Sequence, residues 1–381
     1  MRIALITETF LPSTDGVVVR LTKALDYLLS QGHEVLIIAP EIEGMARHYK
    51  GAKIQGAKSV VFPFYKERPW ALPTSKVKDW LLDFKPDIVH AVNPITLAAS
   101  GAYYADKLNI PLICSFHTNI PNYLTHYHLE FLENMTWSFL RKVHNKAPLN
   151  LVTSQAMYDL LDANGIQGLR VLPKGVDLDQ RDPRFYSEER RTLMTQGQPE
   201  KTALLFVGRL APEKEIHRLY PLMAKRDDLS LTLVGDGPER EKLEELFQGT
   251  RTQFTGFVHG QALSELYASA DAFIFPSASE TLGLVITEAM ASGTPVIAAN
   301  SQPTREQIKD RENGLIFDQE DLRSLERAID ALKDPLLKEG ILEKGYAYAQ
   351  PFSWDQASKA ILEAYEDTLA LYDHKKALEV S

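Results

Sequence analysis

The chain has 381 residues and a formal net charge of −9, with 44% apolar and 24% charged residues. That length predicts two domains. No stretch approaches the ~18 consecutive apolar residues of a membrane span, and the overall acidity argues against a nucleic-acid partner, which needs a strongly basic face. The charge is unevenly spread: residues 1–175 hold 18 Lys and Arg against 15 Asp and Glu, a balance of +3, and the remainder holds 24 against 36, a balance of −12. The split predicts that the first half meets something anionic. The chain runs directly into an apolar strand without a small-residue cleavage site, which argues against a secretory signal. Its one cysteine, Cys114, cannot form an internal disulfide and sits where a buried thiol is expected; a reducing cytoplasm fits.

Residues 2–6 read as a strand, 7–16 as a loop carrying Pro12 and Asp15-Gly16, and 17–30 as a helix with Val17, Val18, Leu21, Leu25 and Leu28 at helical spacing. Residues 34–39 return as a strand. Strand, glycine-bearing loop, helix, strand opens a doubly wound α/β domain whose first loop lies at the ligand edge of the sheet. No G-x-G-x-x-G occurs there, so this is not a dinucleotide fingerprint. Gly16 either lets backbone approach a ligand or serves the turn alone. Strands at 87–90, 111–116 and 149–153 follow, with helices near 95–108, 129–145 and 154–163. His117 then falls at a strand's carboxyl end, as a substrate contact or a structural residue.

Two segments are less regular. Residues 44–85 hold nine Lys and Arg against three acids, interleaved with aromatics that include Trp70 and Trp80. Within them, 75–84 fit a short amphipathic helix carrying Lys76 and Lys78, with Trp80, Leu81 and Phe84 near one face. Basic plus aromatic is the composition of an interfacial element, where each Lys or Arg near anionic lipid contributes ~1 kcal/mol; alternatively the aromatics pack on the core. Residues 121–146 bring Tyr123, His126, Tyr127, His128, Phe131, Trp137 and Phe139, then Arg141-Lys142. They wall a groove for a long apolar substrate or belong to the core.

Leu172-Pro-Lys174-Gly-Val-Asp177 breaks the pattern and reads as the interdomain linker. Asp177-Leu-Asp179 formally matches a metal-holding D-x-D, but it lies in that linker among charged neighbours, and no metal site is expected. A second α/β domain opens at 202–207, followed by Gly208-Arg209-Leu-Ala-Pro212-Glu213-Lys214. Arg209 and Lys214, with no obvious acidic partner except Glu213, suit a diphosphate; they could equally be surface charges. Residues 229–234 and Gly235-Asp-Gly-Pro238 repeat the strand–turn plan, and 253–257 end a strand with Phe254 and Phe257.

Residues 272–275 then form a buried strand, a polar turn follows, and 282–291 form a helix stopped by Gly293. Strand, small-residue turn and helix offer free backbone N–H groups to an anion, here around Thr281, Leu282, Gly283 and Leu284. Glu280 and Glu288, about two turns apart, would then serve neutral donors such as sugar hydroxyls. The plainer alternative is a βα unit with a capping glutamate. A last helix begins at Trp354, runs to about residue 372, and is expected to brace the first domain.

Taken together, Thr7-Glu-Thr-Phe-Leu-Pro…Asp15-Gly16-Val, Lys85-Pro-Asp-Ile-Val-His90, Phe116-His117-Thr118, Lys174-Gly-Val-Asp177, Gly208-Arg209-Leu-Ala-Pro-Glu-Lys214, Gly235-Asp-Gly-Pro238 and Glu280-x7-Glu288 resemble the family-4 retaining glycosyltransferases over nearly the whole chain. The resemblance implies a GT-B fold: two Rossmann-like doubly wound parallel-sheet domains facing a cleft, with a C-terminal helix crossing back. The bounds would be 1–172 with the helix at about 354–381, and 173–353. Gly16-Val-Val-Val-Arg20, Tyr49-Lys-Gly-Ala-Lys53 and Phe116-His-Thr-Asn-Ile-Pro-Asn-Tyr123 are most similar to the branch of cyanobacteria and chloroplasts that moves sulfoquinovose from UDP-sulfoquinovose to diacylglycerol. Transfer of glucose, galactose or mannose by the same family is the alternative, and a non-catalytic sugar-nucleotide-binding protein is a different one.

The resemblance also assigns roles. Arg209 and Lys214 would hold the diphosphate with helix N–H groups near Leu282–Leu284, Glu288 the ribose, and Glu280 the transferred sugar. Backbone at Phe254–Phe257 would frame the uracil, Gly16 and Lys174 would approach the donor, and His117 would lie near the sugar's sixth carbon. His117, Lys174, Arg20 and Asn119 are the candidates for gripping a sulfonate. No cofactor or metal is expected. The acceptor diacylglycerol and an anionic membrane surface would be met by the first domain through Trp70, Lys76, Lys78, Trp80, Tyr123 and Tyr127, as a peripheral association. One departure is Lys214-Glu215, where relatives carry Lys-Gly or Lys-Ser.

Overall fold

Runs of Val, Ile, Leu and Ala bounded by glycine, proline and asparagine dictate strands buried on both faces, and two parallel sheets result. A computed structural model describes residues 1–13, 15–62, 65–122 and 130–380. Two compact units form: Met1–Gly175 with the last helix, and Val176–Ser353.

In the first unit the strands are Arg2–Thr7 (β1), Glu34–Pro40 (β2), His48–Tyr49 (β3), Ala52–Ala57 (β4), Ser59–Phe62 (β5), Tyr65–Ala71 (β6), Ile88–Val92 (β7), Leu112–Phe116 (β8), Leu149–Val152 (β9) and Leu169–Val171 (β10). The main sheet runs β10-β9-β8-β7-β1-β2-β4-β3, parallel except for β3 at its edge, and β5 and β6 form a separate antiparallel pair. Cys114 on β8 is fully buried, and burial pushes its thiol well above the usual range, so it is inert packing.

The irregular reading of residues 44–85 is corrected here. Buried Ala52 and Ile54 alternate with exposed Lys53 and half-buried Gln55, a period of two that makes this lysine the wet face of a strand near the sheet edge. The helix Lys76–Phe84 forms as expected, but Trp80 and Phe84 pack against the core beside buried Val77 and Leu81.

Trp354–Val380 runs past the end near residue 372 that the residue pattern suggested, and belongs to the first unit. Ala357, Ile361, Ala364 and Tyr365 recur at helical spacing and are buried; the last three share a core with Leu21, Ala24, Leu25 and Leu28 of the helix Gly16–Ser30. A Cβ on Gly175 would lie 2.3 Å from the Trp354 ring, so only glycine lets the backbone pass there.

The second unit contains Thr202–Val207 (β11), Leu229–Val234 (β12), Thr252–Gly256 (β13), Ala272–Phe275 (β14), Val296–Ala299 (β15) and Leu315–Phe317 (β16). Their order is β13-β12-β11-β14-β15-β16, all parallel. In each sheet the strand order reverses once, beside β1 and β7 in the first unit and beside β11 and β14 in the second. At such a point the loops at the carboxyl ends diverge and leave a crevice.

Candidate functional site

In the second unit the reversal brings the loops after β11 and β14 together. Arg209 and Lys214 stand on the first loop and Glu280 on the second. Lys214 Nζ forms an ion pair with Glu280 Oε1, and Arg209 donates to Glu213 Oε1 at 2.7 Å. Glu213 is the one acidic partner the sequence offered; Glu280, the partner of Lys214, is one it did not. Glu280 is 66 residues from Lys214 in sequence, and only the adjacency of β11 and β14 brings them into contact. Glu213 is almost fully buried; burial alone would raise its carboxyl pKa, but the Arg209 charge and hydrogen bond, with Lys214, hold it below the ordinary value.

Gly235 and Gly237 support that loop from behind. At φ +127° and +159°, a Cβ would meet the carbonyl oxygens of Gly208 at 2.0 Å and Leu210 at 2.4 Å. Glu215, the departure from the family pattern, adopts φ +53°, the left-handed conformation that glycine takes without cost. Its carboxylate accepts from Arg218 Nε (3.0 Å) and Gln319 Nε2 (2.6 Å), and from the Ala278 N–H at 3.4 Å, so it ties the two loops together.

The helix starts at Leu284, not Leu282, because Gly283 takes φ +71° as its N-cap and no side chain caps it. Buried Leu282 is held by Gln307, whose amide donates to its carbonyl, while Thr287 donates to Gln307 Oε1 at 2.9 Å. Thr281 and Leu284 are half-buried beside this uncapped start. Glu288 lies one turn further on. Tyr267 donates its hydroxyl to Glu288 Oε2 at 3.0 Å and Arg181 Nε approaches the same oxygen at 3.6 Å, which leaves Oε1 without a hydrogen bond from the described residues. Tyr267 is fully buried, and burial with the Glu288 charge raises its hydroxyl far above the usual range, so it remains a donor. Neither Tyr267 nor Arg181 was legible in sequence; an apolar helix position and a linker arginine give no signal.

Phe254 is half-buried against the core, edge-on to Phe247 (6.5 Å between ring centroids), whereas Phe257 is exposed and stacked on His259. The two do not form one aromatic wall; the backbone between them carries Gly256 at φ +70°.

In the first unit, the helix after β1 begins at Gly16, with Asp15 as N-cap: the N–H groups of Val17 and Val18 donate to Asp15 Oδ1 at 2.9 and 3.1 Å. Nothing lies within 4 Å of a Cβ on Gly16. Glu8 caps the helix Leu97–Lys107 in the same way, accepting from the N–H groups of Thr96 (2.8 Å) and Ala98 (3.0 Å) and from Thr96 Oγ1 (2.7 Å). Burial raises its carboxyl pKa and these bonds oppose the rise.

His117 follows β8. Its N–H donates to Asn93 Oδ1 at 2.6 Å, its Nε2 lies 3.0 Å from Ser115 Oγ, and Ser115 Oγ lies 2.8 Å from His90 Nε2. Asn93 holds φ +50°, a conformation asparagine tolerates better than most residues. Arg20 is buried beside this group: it donates to the Pro173 carbonyl at 3.1 Å, sits 5.8 Å over the Trp354 ring, and is lowered by burial to about 10. Burial and the Arg20 charge hold His117 far below the ordinary imidazole value, so it is neutral. Lys174 and Asn119 are half-buried.

Lys76 and Lys78 are exposed, while Trp70 and Trp80 are half-buried. Tyr123 and Tyr127 lie outside the described residues. Trp137 is core, but Phe131, Met135 and Phe139, at intervals of four, are 77%, 63% and 40% exposed and line one side of the Glu133–His144 helix and the turn before it. Among the described residues no group of three or more His, Cys, Asp or Glu is arranged to hold a metal ion, and no helix is long and apolar enough to cross a membrane.

The comparisons with known proteins agree with this architecture. The model described as "Glycosyltransferase Family 4" matches residues 14–180, and "Glycosyl transferases group 1" matches 194–342. The sulfoquinovosyl transferase SQD2 of Arabidopsis thaliana is 35% identical over 366 residues, covering 94% of this chain and 72% of that protein. A GDP-mannose-dependent alpha-mannosyltransferase of Corynebacterium glutamicum is 32% identical over 378 residues, 97% of this chain and 90% of that one. Among solved structures, HepE of Anabaena in complex with UDP and glucose superposes with a TM-score of 0.78 at 20% identity, covering 96% of this chain and 100% of that one. The chain belongs to the family-4, group-1 glycosyltransferases and has their GT-B fold, two Rossmann-like parallel-sheet domains.

Proposed function

We propose that this protein is a retaining, metal-independent lipid glycosyltransferase that moves sulfoquinovose from UDP-sulfoquinovose to diacylglycerol at a membrane surface. The observation that carries the choice of sugar is the 35% identity to a sulfoquinovosyl transferase over 94% of the chain. The second unit supports a nucleotide-sugar donor. An uncapped helix start follows shortly after Glu280, which pairs with Lys214, and a diphosphate suits both N–H groups and cations. On binding, the diphosphate would take Lys214 from Glu280 and leave that carboxylate for sugar hydroxyls. Glu288, held through Oε2, keeps Oε1 for the ribose.

Mechanism follows from where charge develops. The bond from the anomeric carbon to the phosphate oxygen breaks, and negative charge grows on the departing UDP. Arg209, Lys214 and the N–H groups after Gly283 would receive it. The acceptor hydroxyl forms its bond to the anomeric carbon on the same face and gives its proton to the departing phosphate. A glutamate nucleophile is the alternative; with Glu288 given to the ribose, Glu280 has no second carboxylate to form the spaced pair of a glycosidase-type mechanism.

The exposed stripe of Phe131, Met135 and Phe139, with exposed Lys76 and Lys78 on the same unit, supports a lipid acceptor reached by peripheral contact with anionic membrane. The test is a donor panel of UDP-sulfoquinovose, UDP-glucose and GDP-mannose with diacylglycerol liposomes. An α-linked sulfoquinovosyl lipid is expected. Faster turnover of either other donor overturns the sugar, and a β-linked product overturns retention. Donor binding without turnover would make the protein a sugar-nucleotide binder. Flotation with anionic liposomes tests the membrane: binding unaffected by Lys76→Glu with Lys78→Glu, and by Phe131→Ser with Met135→Ser, removes the proposed face.

A further inference from the structure

Glu215 holds a backbone shape that its residue type disfavours. It joins two short 3₁₀ turns, Pro212–Lys214 and Ile216–Leu219, at φ +53° and ψ +30°, in the left-handed region where a Cβ is crowded and glycine is not. Such a conformation persists only where surrounding contacts hold it, and residues of this kind gather at functional sites.

The Glu215 side chain is 13% exposed and surrounded by donors. Arg218 Nε donates to Oε1 at 3.0 Å, Gln319 Nε2 donates to Oε2 at 2.6 Å, and the Ala278 N–H reaches the same oxygen at 3.4 Å. Gln319 Nε2 also donates to the Pro276 carbonyl, and Arg218 Nη1 donates to the Gln319 carbonyl at 3.3 Å and pairs with Glu320 at 3.1 Å. One carboxylate therefore joins the loops after β11, β14 and β16. Donors meet both of its oxygens, which suits a carboxylate and not an amide, whose NH₂ would face a donor on one side.

The Lys214 loop is thus fastened to the Glu280 turn at successive positions. Ser277, fully buried, donates its hydroxyl to the Glu213 carbonyl at 2.8 Å. Glu215 follows, against Ala278, and then the Lys214–Glu280 ion pair. That pair is the tie a diphosphate would open, because phosphate oxygens compete with Glu280 for the Lys214 ammonium. Lys214 is not among the partners of the Glu215 carboxylate, so the Glu215 contacts stay closed when the ion pair opens.

We propose that Glu215 is a positioning residue for the donor's phosphates: it keeps the loop of Lys214 in register with the turn of Glu280 after the ion pair between them has opened. This rests on the reading that a diphosphate takes Lys214 from Glu280. Glu215 acts through Lys214, its neighbour in the chain, and through the Ala278 backbone two residues before Glu280. The loop after β16 takes part indirectly, through Gln319.

The experiment is calorimetric titration of UDP into the full-length protein, with melting temperatures recorded in its absence. Glu215→Gly removes the carboxylate and the backbone cost together, whereas Glu215→Gln keeps the side-chain size and the backbone cost. Both are expected to bind UDP about tenfold more weakly, the scale of one charge-assisted hydrogen bond. Glu215→Gly should melt near the native temperature, because relief of the backbone offsets the lost contacts. Gln319→Ala cuts the same bridge at its far end and should bind UDP several-fold more weakly. The double variant Glu215→Gly with Gln319→Ala should then bind no more weakly than Glu215→Gly alone. In the UDP-bound protein, amide hydrogen exchange over residues 276–280 should be faster in Glu215→Gly than in the native chain. Native UDP affinity in both Glu215 variants overturns the proposal, whatever their melting temperatures, and so does a double variant whose losses add. If the native chain itself does not bind UDP, the donor reading falls and the proposal with it; if the native chain binds and the variants match it, the proposal alone falls.

Discussion

The two units share a sheet plan and differ in who occupies their helix starts. In the first unit, Asp15 and Glu8 fill the N-termini of the helices after β1 and β7 with the protein's own carboxylates. A bound anion would have to displace them against like charge. In the second unit, Gly283 starts the helix after β14 with no capping side chain, and Arg209 and Lys214 stand on the neighbouring loop. Around His117 the first unit gathers neutral histidines and a serine hydroxyl beside the buried Arg20, whereas the loops after β11 and β14 in the second unit carry the ion pairs Arg209–Glu213 and Lys214–Glu280. One architecture thus carries two chemistries. On the function proposed above, the second unit would take the charge of the donor's diphosphate. The +3 and −12 balances do not reveal this division, because they count charges without their partners.

The largest expected effect of this contrast is acid lability of the first unit. His90, His144 and His117 are buried and neutral there: burial pushes His90 down to about 3 and His144 to about 4, and His117 well below the ordinary value of 6.5. Unfolded, each takes up a proton near 6.5; folded, it does so only at much lower pH. The unfolded state binds more protons as pH falls below 6.5, so stability drops by ~1.4 kcal/mol per pH unit for each histidine until the folded values are reached. The Glu213 contribution in the second unit, whose folded value is lowered, is lost only below its unfolded value near 4.5. Calorimetry between about pH 7.5 and 5.5 should show the first unit's transition moving down while the second's holds; equal movement of both breaks the comparison.

Lys214→Ala should lower kcat by ~10²-fold or more, since a preorganised cation at the developing phosphate charge is removed. Its thermal stability should change far less, and an unchanged kcat would remove Lys214 from the site. Gly235→Ala should destabilise the second unit by about 1–3 kcal/mol from backbone strain alone, before its clash with the Gly208 carbonyl is added; a native melting temperature would show that the loop can shift. Smallest is Gly16→Ala. With open space around its Cβ and a helix-start position, stability should stay within ~0.5 kcal/mol. If donor approaches this backbone, its KM rises several-fold, and an unchanged KM makes Gly16 a turn residue alone.

Much of the fold was legible along the chain. The buried strands, the helix after Gly16, the helix of Trp80 and the bracing last helix all follow from local periodicity, which a strand or helix cannot avoid imposing on its own residues. What was missed lay where a local rule met a polar strand: the run containing Ala52 and Ile54 shows its alternation, but its lysine and the basic residues around it suggested an interface. Candidate site residues at strand ends, Arg209, Lys214, Glu280 and His117, could be found because the carboxyl edge of a parallel sheet is where loops and ligands meet. Their partners could not.

Sequence by itself determined the parallel α/β architecture and the family, and it marked the loops that carry the candidate residues, because each is written in spacing between near neighbours. Tertiary structure alone decided that Lys214 holds Glu280, that Tyr267 and Arg181 hold Glu288, and that the Tyr365 hydroxyl reaches His90. These pairs are separated by 21 to 275 residues and join only where the order of strands brings their loops together. Charge and hydrogen bonding act over a few ångströms, so protonation and pairing follow spatial neighbours, which the strand order supplies and the linear chain does not.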